Sequence, residues 1–179
     1  MSDDQPDTAD DTELPAALPA ALPAALPVAL HAFWRAALPS LGVDAAARFY
    51  EAFSFGDGAA MADELAALVL AGTKRATAGL LWGFEHDGEQ PPRPGDLSVM
   101  TDSAGRPLAV IRTLQVDIVA FEDVDAAFAA TEGEGDGSLR YWREEHWRFF
   151  TRECARIGRT PDARMPVSCE RFDVVYPPG

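Results

Sequence analysis

From Val28 onward the apolar residues recur at the spacing of one helix face, and the positions are Leu30, Phe33, Trp34, Ala37 and Leu38. Residues three or four apart lie on the same side of a helix, so this stripe predicts a helix that Pro39 ends. The same spacing predicts a second helix over residues 44–53 and a third over residues 57–72. Gly72 suits the C-terminal cap of the third helix, which places Lys74 just beyond a helix end.

The second half of the chain contains segments whose composition is typical of β-strands. Residues 96–101 and 107–121 are rich in Val, Ile and Leu, and the short polar segment between them predicts an antiparallel hairpin. A short helix is predicted over 123–131, and Ser138 suits the N-cap of a helix that runs to about residue 158. A closing strand is predicted over 166–176. Helices first and antiparallel strands later favour an α+β fold, with a small barrel or curled sheet.

The first 27 residues differ from the rest. Six acidic residues precede an uncharged Leu-Pro-Ala-Ala repeat, in which the prolines are Pro15, Pro19, Pro23 and Pro27. Regular proline predicts an extended tether, and the uncharged stretch is shorter than the ~20 residues of a membrane-spanning helix. We therefore predict a tail over 1–27, a folded domain over 28–179 and no membrane partner. The acidic start is unlike a secretory signal, which favours the cytoplasm.

The net charge of the chain limits the classes of molecule that it can bind. The chain has 29 acidic and 15 basic residues and a net charge of −14, which argues against a protein that coats nucleic acid. Eight of the basic residues nevertheless fall between Arg140 and Arg171, so one region is locally basic. The two cysteines make no disulfide framework, and the three histidines lack metal-ligand spacing. The sequence predicts neither a metal nor a cofactor, and it contains no phosphate-binding or dinucleotide-binding glycine motif.

Lys74 is the only lysine, whereas the other 14 basic residues are arginines. Arg stays charged in proteins, but a buried Lys can release its proton and act as a base. Lys74 beside the hydroxyl of Thr77 and the carboxylate of Glu132 could therefore activate a nucleophile, if the segment between Lys74 and Thr77 bends. The alternative is an ordinary surface lysine followed by a capping threonine.

Two further segments have both a functional and a structural interpretation. Residues 132–137 hold three carboxylates among three glycines, which suits either the wall of a pocket or a plain exposed loop. In the next helix Trp142 and His146 lie one turn apart, where they could stack on a base and donate a hydrogen bond, or simply belong to the core. Arg75, Ser138 and Arg143 are the other predicted substrate contacts.

These residues resemble the ASCH domain family, whose members are similar to PUA domains. The resemblance covers residues 30–176 and rests on four segments: Gly72-Thr73-Lys74-Arg75-Ala76-Thr77, Pro94-Gly95-Asp96, Glu132-Gly133-Glu134-Gly135-Asp136, and Trp142, His146 and Phe150. It implies a small PUA-like β-barrel flanked by helices, and a role connected with RNA. Some members are ribonucleases, and short members are amidohydrolases acting on N4-acetylcytidine with a Lys, Thr and Glu set. The matching residues here are Lys74, Thr77 and Glu132.

The leading hypothesis is a protein that binds a nucleoside or single-stranded RNA in a cleft and hydrolyses it. In an amidohydrolase, Lys74 would activate Thr77, while Glu132 would position Lys74 or protonate the leaving amine. In a ribonuclease, Lys74 and Glu132 would be the acid and base. The alternatives are a non-catalytic RNA-binding module and a ligand sensor that recruits partners through its tail. The sequence leaves the oligomeric state open.

Overall fold

The computed structural model describes residues 26–42 and 44–177. Five α-helices and five strands follow one another along this part of the chain. In order they are α1 Val28–Leu41, β1 Phe49–Phe53, α2 Ala59–Leu70, β2 Ala76–Leu80, α3 Leu81–Asp87, β3 Leu97–Thr101, β4 Pro107–Ala120, α4 Ala126–Glu132, α5 Leu139–Arg156 and β5 Pro166–Tyr176. The predicted tail lies outside the described residues except for its last two.

The five strands form one mixed sheet in the order β1-β3-β4-β5-β2. β1 runs parallel to β3, and the other neighbours are antiparallel. The α+β class is as predicted, but the barrel is not shown: β1 and β2 are the two edges and do not pair within the described chain. Phe55, just after β1, stacks on Phe172 of β5 with ring centroids 6.2 Å apart.

Helices cover both faces of the sheet at β3, and for this reason every residue of β3 is buried. Leu97 and Val99 pack in one cluster with Trp34 of α1. Met100 points to the opposite face and packs in a second cluster with Val69 of α2. The alternation of side chains along a strand therefore separates two cores. A third core lies between α4, α5 and the β2–β5 end of the sheet.

Several predicted elements are confirmed. The hairpin of β3 and β4, the closing strand β5 and the helices α2 and α4 all form close to their predicted positions. Ser138 is the N-cap of α5, where its hydroxyl accepts a hydrogen bond from the backbone N–H of Tyr141 at 3.1 Å.

Three local predictions are wrong. α1 continues through Pro39 to Leu41, whose side chain is buried in the same cluster as Trp34. Residues 44–53 are not a helix but a 3₁₀ turn followed by β1, because pairing with β3 outweighs local helix preference there. Antiparallel strands alone were expected, whereas β1 and β3 are parallel. The pattern also gave no sign of β2 or α3.

Within residues 26–42 and 44–177, no helix is both long enough and apolar enough to cross a bilayer.

Candidate functional site

Lys74 lies in the link between α2 and β2, and backbone hydrogen bonds fix this link on both sides. The N–H groups of Thr73 and Lys74 both donate to the carbonyl of Leu68, at 2.9 and 3.1 Å. The N–H of Arg75 donates to the carbonyl of Thr131 at the end of α4, at 2.9 Å. The position of the lysine backbone is therefore set by α2 and α4 together.

The Lys74 side chain is buried, with 1% of its surface exposed. Its Nζ lies 2.5 Å from Oε1 of Glu134 and 3.6 Å from Oε2 of Glu132. It also lies 5.2 Å from the ring centroid of Phe55. A buried ammonium needs opposite charge nearby, and the two carboxylates supply it. The structure therefore brings Lys74 and Glu132 together, as the sequence predicted, and adds Glu134.

Glu132 is the last residue of α4 and is as buried as Lys74. Neither of its carboxylate oxygens has a partner within hydrogen-bonding geometry in the described chain. Burial by itself raises the pKa of Glu132, but the charges of Lys74 and His146 outweigh it, so the net pKa is below its usual value. Glu132 is thus an ionised carboxylate held by charge.

His146 completes this group of charged side chains. Its Nδ1 lies 3.0 Å from the backbone carbonyl of Trp142, and its Nε2 lies 3.4 Å from Oε2 of Glu132. Both ring nitrogens thus face acceptors, an arrangement that suits the doubly protonated imidazolium. Burial lowers the pKa of His146, but the charge of Glu132 outweighs burial and the net pKa is raised.

Trp142 supports the imidazole from the side. The two rings stack with centroids 4.2 Å apart and planes 15° from parallel. The indole also helps to lower the pKa of Glu132, although its N–H lies outside hydrogen-bonding geometry to any described acceptor. Trp142 is 2% exposed and belongs to the core between α5 and the sheet. It therefore has the structural role that the sequence left open, and a base cannot stack on it without displacing His146.

A cavity of about 150 Å³ opens next to these charges. Its apolar wall comes from α2, the segment after β1, and α5, and its polar residues include Thr77, Glu134 and His146. Lys74 contacts two of the residues that line it, Phe55 and Glu134. The full lining is Phe55, Gly56, Met61, Glu64, Leu65, Leu68, Thr77, Ala78, Glu134, Gly135, Tyr141, Glu145, His146, Phe149 and Arg152.

Thr77 lies on β2 and lines the cavity, directly opposite Glu170 of β5 in the antiparallel register. Glu170 is buried, and its Oε1 accepts a hydrogen bond from the Thr113 hydroxyl at 2.6 Å. Burial raises the pKa of Glu170, against smaller lowering effects from Thr113 and from the charge of Lys74. Glu170 is therefore a second buried carboxylate at this end of the sheet.

The loop that follows Glu132 forms a wall of the cavity, which is one of its two predicted roles. Gly133 has φ +65° and ends α4, and a Cβ there would lie 2.6 Å from the carbonyl oxygen of Thr73. Gly135 has φ +55°, and its Cβ would lie 2.3 to 2.5 Å from ring atoms of Tyr141. Only glycine allows the loop to approach this closely while turning. Its close packing brings Glu134 to Lys74.

Three predicted substrate contacts lie elsewhere in the described structure. The Arg75 guanidinium donates to the carbonyls of Val69 and Lys74, both at 2.8 Å, and so ends α2. Ser138 caps α5. Arg143 lies on another side of α5, where it donates to the carbonyl of Glu122 at 2.9 Å and lines a shallow surface recess with Trp147.

Sequence reasoning did not single out Glu134, Glu170 or Tyr141. Glu134 belongs to the glycine-rich loop of residues 132–137, which the sequence does indicate as a possible pocket wall. The spacing of the residues does not show which carboxylate of this loop contacts Lys74. Glu170 lies in a strand that was predicted, and only the pairing of β5 with β2 places it opposite Thr77. No set of His, Cys, Asp and Glu side chains in the described chain is arranged to bind a metal ion.

The fold and site define a class of protein. It is an α+β domain in which a buried lysine, glutamate and histidine lie together, and a second, partly exposed glutamate pairs with the lysine. The chain belongs to the ASCH domain family, whose model matches residues 51–176. This confirms the resemblance in the sequence.

Two crystal structures are similar to the chain. One is an ASCH domain from Lactobacillus crispatus JV V101, with 33% sequence identity and a TM-score of 0.79, covering 86% of this chain and 98% of that one. The other is a protein from Enterococcus faecalis V583, with 36% identity and a TM-score of 0.66, covering 70% of this chain and 76% of that one. No curated protein sequence matches the chain.

Proposed function

We propose that this ASCH-domain protein is an amidohydrolase that removes an acyl group from the N4 amine of a cytidine-type nucleoside. The observation that carries the proposal is the ion pair between the buried Lys74 and the partly exposed Glu134, at the edge of a small cavity that Thr77 lines. An amine, a carboxylate and a hydroxyl are the groups needed to attack an amide, and a buried site strengthens their interactions.

The proton transfers can be followed through these three groups. Glu134 takes a proton from the Lys74 ammonium across the 2.5 Å contact, and the resulting amine takes the hydroxyl proton of Thr77. The Thr77 oxygen attacks the acyl carbon, the C–N4 bond breaks, and the Glu134 acid gives its proton to N4. Lys74 and Glu134 return to their charged forms, and Thr77 carries the acyl group as an ester.

Hydrolysis of the ester repeats the same steps with water. Lys74, after again passing its proton to Glu134, takes a proton from the water that attacks the ester carbon. The Thr77 oxygen leaves and receives the proton of Glu134, and the acyl group departs as a carboxylic acid. Glu132 stays ionised and holds Lys74 and His146 in place, so it is a positioning residue in this scheme.

The ribonuclease hypothesis has less support from the geometry. The predicted base-stacking residue Trp142 is covered by His146, and the predicted substrate contacts Arg75 and Arg143 donate to backbone carbonyls. A binding module remains the second candidate, because the contact of Lys74 with two carboxylates also fits a purely structural ion pair.

The test measures the release of cytidine and acetate from N4-acetylcytidine. The wild type is compared with Lys74→Arg, which keeps the charge, and with Thr77→Val, which keeps the shape but removes the hydroxyl. We expect each variant to lose at least about 100-fold in kcat/KM, because a base or a nucleophile is lost. Arg35→Lys, on the exposed side of α1, is the matched control and should keep wild-type activity.

Circular dichroism and thermal unfolding establish that the variants fold. Folded Lys74→Arg and Thr77→Val with wild-type kcat/KM would overturn the mechanism. A wild-type protein that does not hydrolyse N4-acetylcytidine but binds cytidine would instead favour the binding module.

A further inference from the structure

Carboxylates outnumber free cations around the cavity. Glu64, Glu134 and Glu145 line it, and Arg152 and His146 are the positively charged residues among its lining. Arg152 is already bound, because its Nε and Nη2 lie 2.9 and 2.5 Å from Oδ2 of Asp57. A further bond joins its Nη1 to the carbonyl of Arg148 at 3.2 Å. The Arg152 charge is therefore neutralised before any ligand enters.

The inner cations are neutralised as well. Lys74 pairs with Glu132 and Glu134, and Nε2 of His146 faces Glu132. Glu145 has a partial counter-charge, because it pairs with Arg148 on the surface of α5. Glu64, on α2, has no basic partner within 4 Å in the described part of the chain. An entering ligand thus meets excess negative charge.

Tyr141 lies within reach of the same carboxylates. Its ring packs against Gly135 in the wall of the cavity. Burial raises the pKa of Tyr141, and after burial the contributions come from Glu145, Glu134, Glu64 and Asp136, all of which raise it further. Four carboxylates from α2, α5 and the loop therefore act on one hydroxyl at the cavity.

We infer that Glu64 and Glu145 make the cavity selective for uncharged nucleosides and bases, and that they exclude nucleotides carrying a 5′-phosphate. The inference rests on the proposed function and specifies its substrate class. A phosphate brings one to two negative charges close to the carboxylates that line the cavity, and the Arg152 guanidinium would have to leave Asp57 to receive it. The uncharged ribose hydroxyls of a nucleoside meet no such repulsion.

The strength of the repulsion between the phosphate and the two glutamates depends on how far the glutamates are exposed to solvent. Glu64 and part of Glu145 are in contact with water, so the repulsion is screened by salt. At low ionic strength we expect cytidine to bind at least about tenfold more tightly than cytidine 5′-monophosphate. The ratio should fall as salt is added.

The experiment measures the Kd of cytidine and of cytidine 5′-monophosphate by calorimetry on the full chain, at 20 mM and 500 mM salt as the working range. The same measurements are made on the double variant Glu64→Gln/Glu145→Gln. Glu85→Gln, an exposed carboxylate on α3 that does not line the cavity, is the control for net charge. We expect the preference for cytidine to shrink to within about threefold in the double variant and to persist in the control.

Each result bears on one of the two proposals. Equal or tighter binding of the monophosphate by the wild type, or a ratio that the double variant leaves unchanged, would overturn the selectivity and leave the hydrolysis intact. Discrimination without hydrolysis of N4-acetylcytidine would overturn the proposed activity and support the selectivity. If neither ligand binds at millimolar concentration, the selectivity is wrong, whereas the activity is decided by the hydrolysis of N4-acetylcytidine.

Discussion

Nε2 of His146 lies 3.4 Å from Oε2 of Glu132, and the opposite nitrogen of the same ring faces the carbonyl of Trp142 at 3.0 Å. The histidine is thus held between a carboxylate and a carbonyl, in a part of the protein that water hardly reaches. This geometry links the protonation of one buried residue to the charge of another. It leads to the first prediction.

Glu132→Gln should lower the pKa of His146. In the wild type the Glu132 charge raises that pKa above its ordinary value of 6.5, and the amide removes the charge. An NMR titration of the His146 ring protons measures the change. Glu144→Gln, an exposed carboxylate on the same helix, should leave the titration unchanged. An identical His146 pKa in wild type and Glu132→Gln would contradict the pairing.

The same pair sets a pH window for stability. His146 has a raised pKa, so its contribution is complete below pH 6.5 and is lost as the pH rises through the folded value. Glu132 has a lowered pKa, so its contribution is present above pH 4.5 and is lost as the pH falls through the folded value. The His146–Glu132 pair therefore stabilises the fold most between pH 4.5 and pH 6.5.

Lys74→Met should destabilise the protein by about 3 kcal/mol at neutral pH, because it leaves Glu132 buried with only His146 as counter-charge. Adding Glu132→Gln should recover part of the loss, since the uncompensated charge is then gone. Urea unfolding of the two single variants and the double variant gives the coupling free energy. Additive losses would show that the two side chains do not interact.

Gly133→Ala should cost more stability than Gly88→Ala. Both glycines end a helix in the left-handed region, at φ +65° and φ +73°, so both substitutions bear a similar backbone strain of about 1–2 kcal/mol. Only at Gly133 does the new Cβ meet a backbone atom, the Thr73 carbonyl oxygen, whereas the space around Gly88 is open. Thermal unfolding of the two variants measures the difference, and equal Tm values would contradict the close contact.

Glu51→Gln should stabilise the protein at high pH. Burial, followed by the charges of Glu170 and Glu89, raises the pKa of Glu51 to about 7. A raised carboxyl pKa disfavours the ionised form in the folded state, so this residue lowers stability as the pH rises from 4.5 to 7. Glu51 is nevertheless an exposed residue of β1, so solvent screens these effects and limits the gain at pH 8 to about 1 kcal/mol at most.

The unfolding free energies of wild type and Glu51→Gln are compared at pH 4.5 and pH 8, the first being the ordinary pKa and the second lying above the raised one. Glu122→Gln, an exposed carboxylate before α4, is the control and should change both values equally. A gain that is the same at the two pH values would show that Glu51 is not held in an unfavourable environment.

The sequence determined the features that depend on neighbours along the chain. The helical stripe of α1, the hairpin of β3 and β4 and the Ser138 cap of α5 each follow from residues within a few positions of one another. Lys74 is the single lysine beside fourteen arginines, and it indicated a buried amine because lysine, unlike arginine, can release its proton. The three glycines of residues 132–137 indicated a tight turn. These signals are local, so a pattern of residue types is enough to show them.

The tertiary structure decided what depends on residues far apart. The sequence pattern predicts a helix at β1, because the strand that β1 pairs with, β3, lies more than forty positions away. Glu134 rather than Glu132 lies closest to Lys74, Glu170 lies opposite Thr77, and Arg75 and Arg143 turn to backbone carbonyls. Side-chain direction and strand pairing are fixed only when α2, α4, α5 and the sheet pack together, and spacing along the chain does not contain that information.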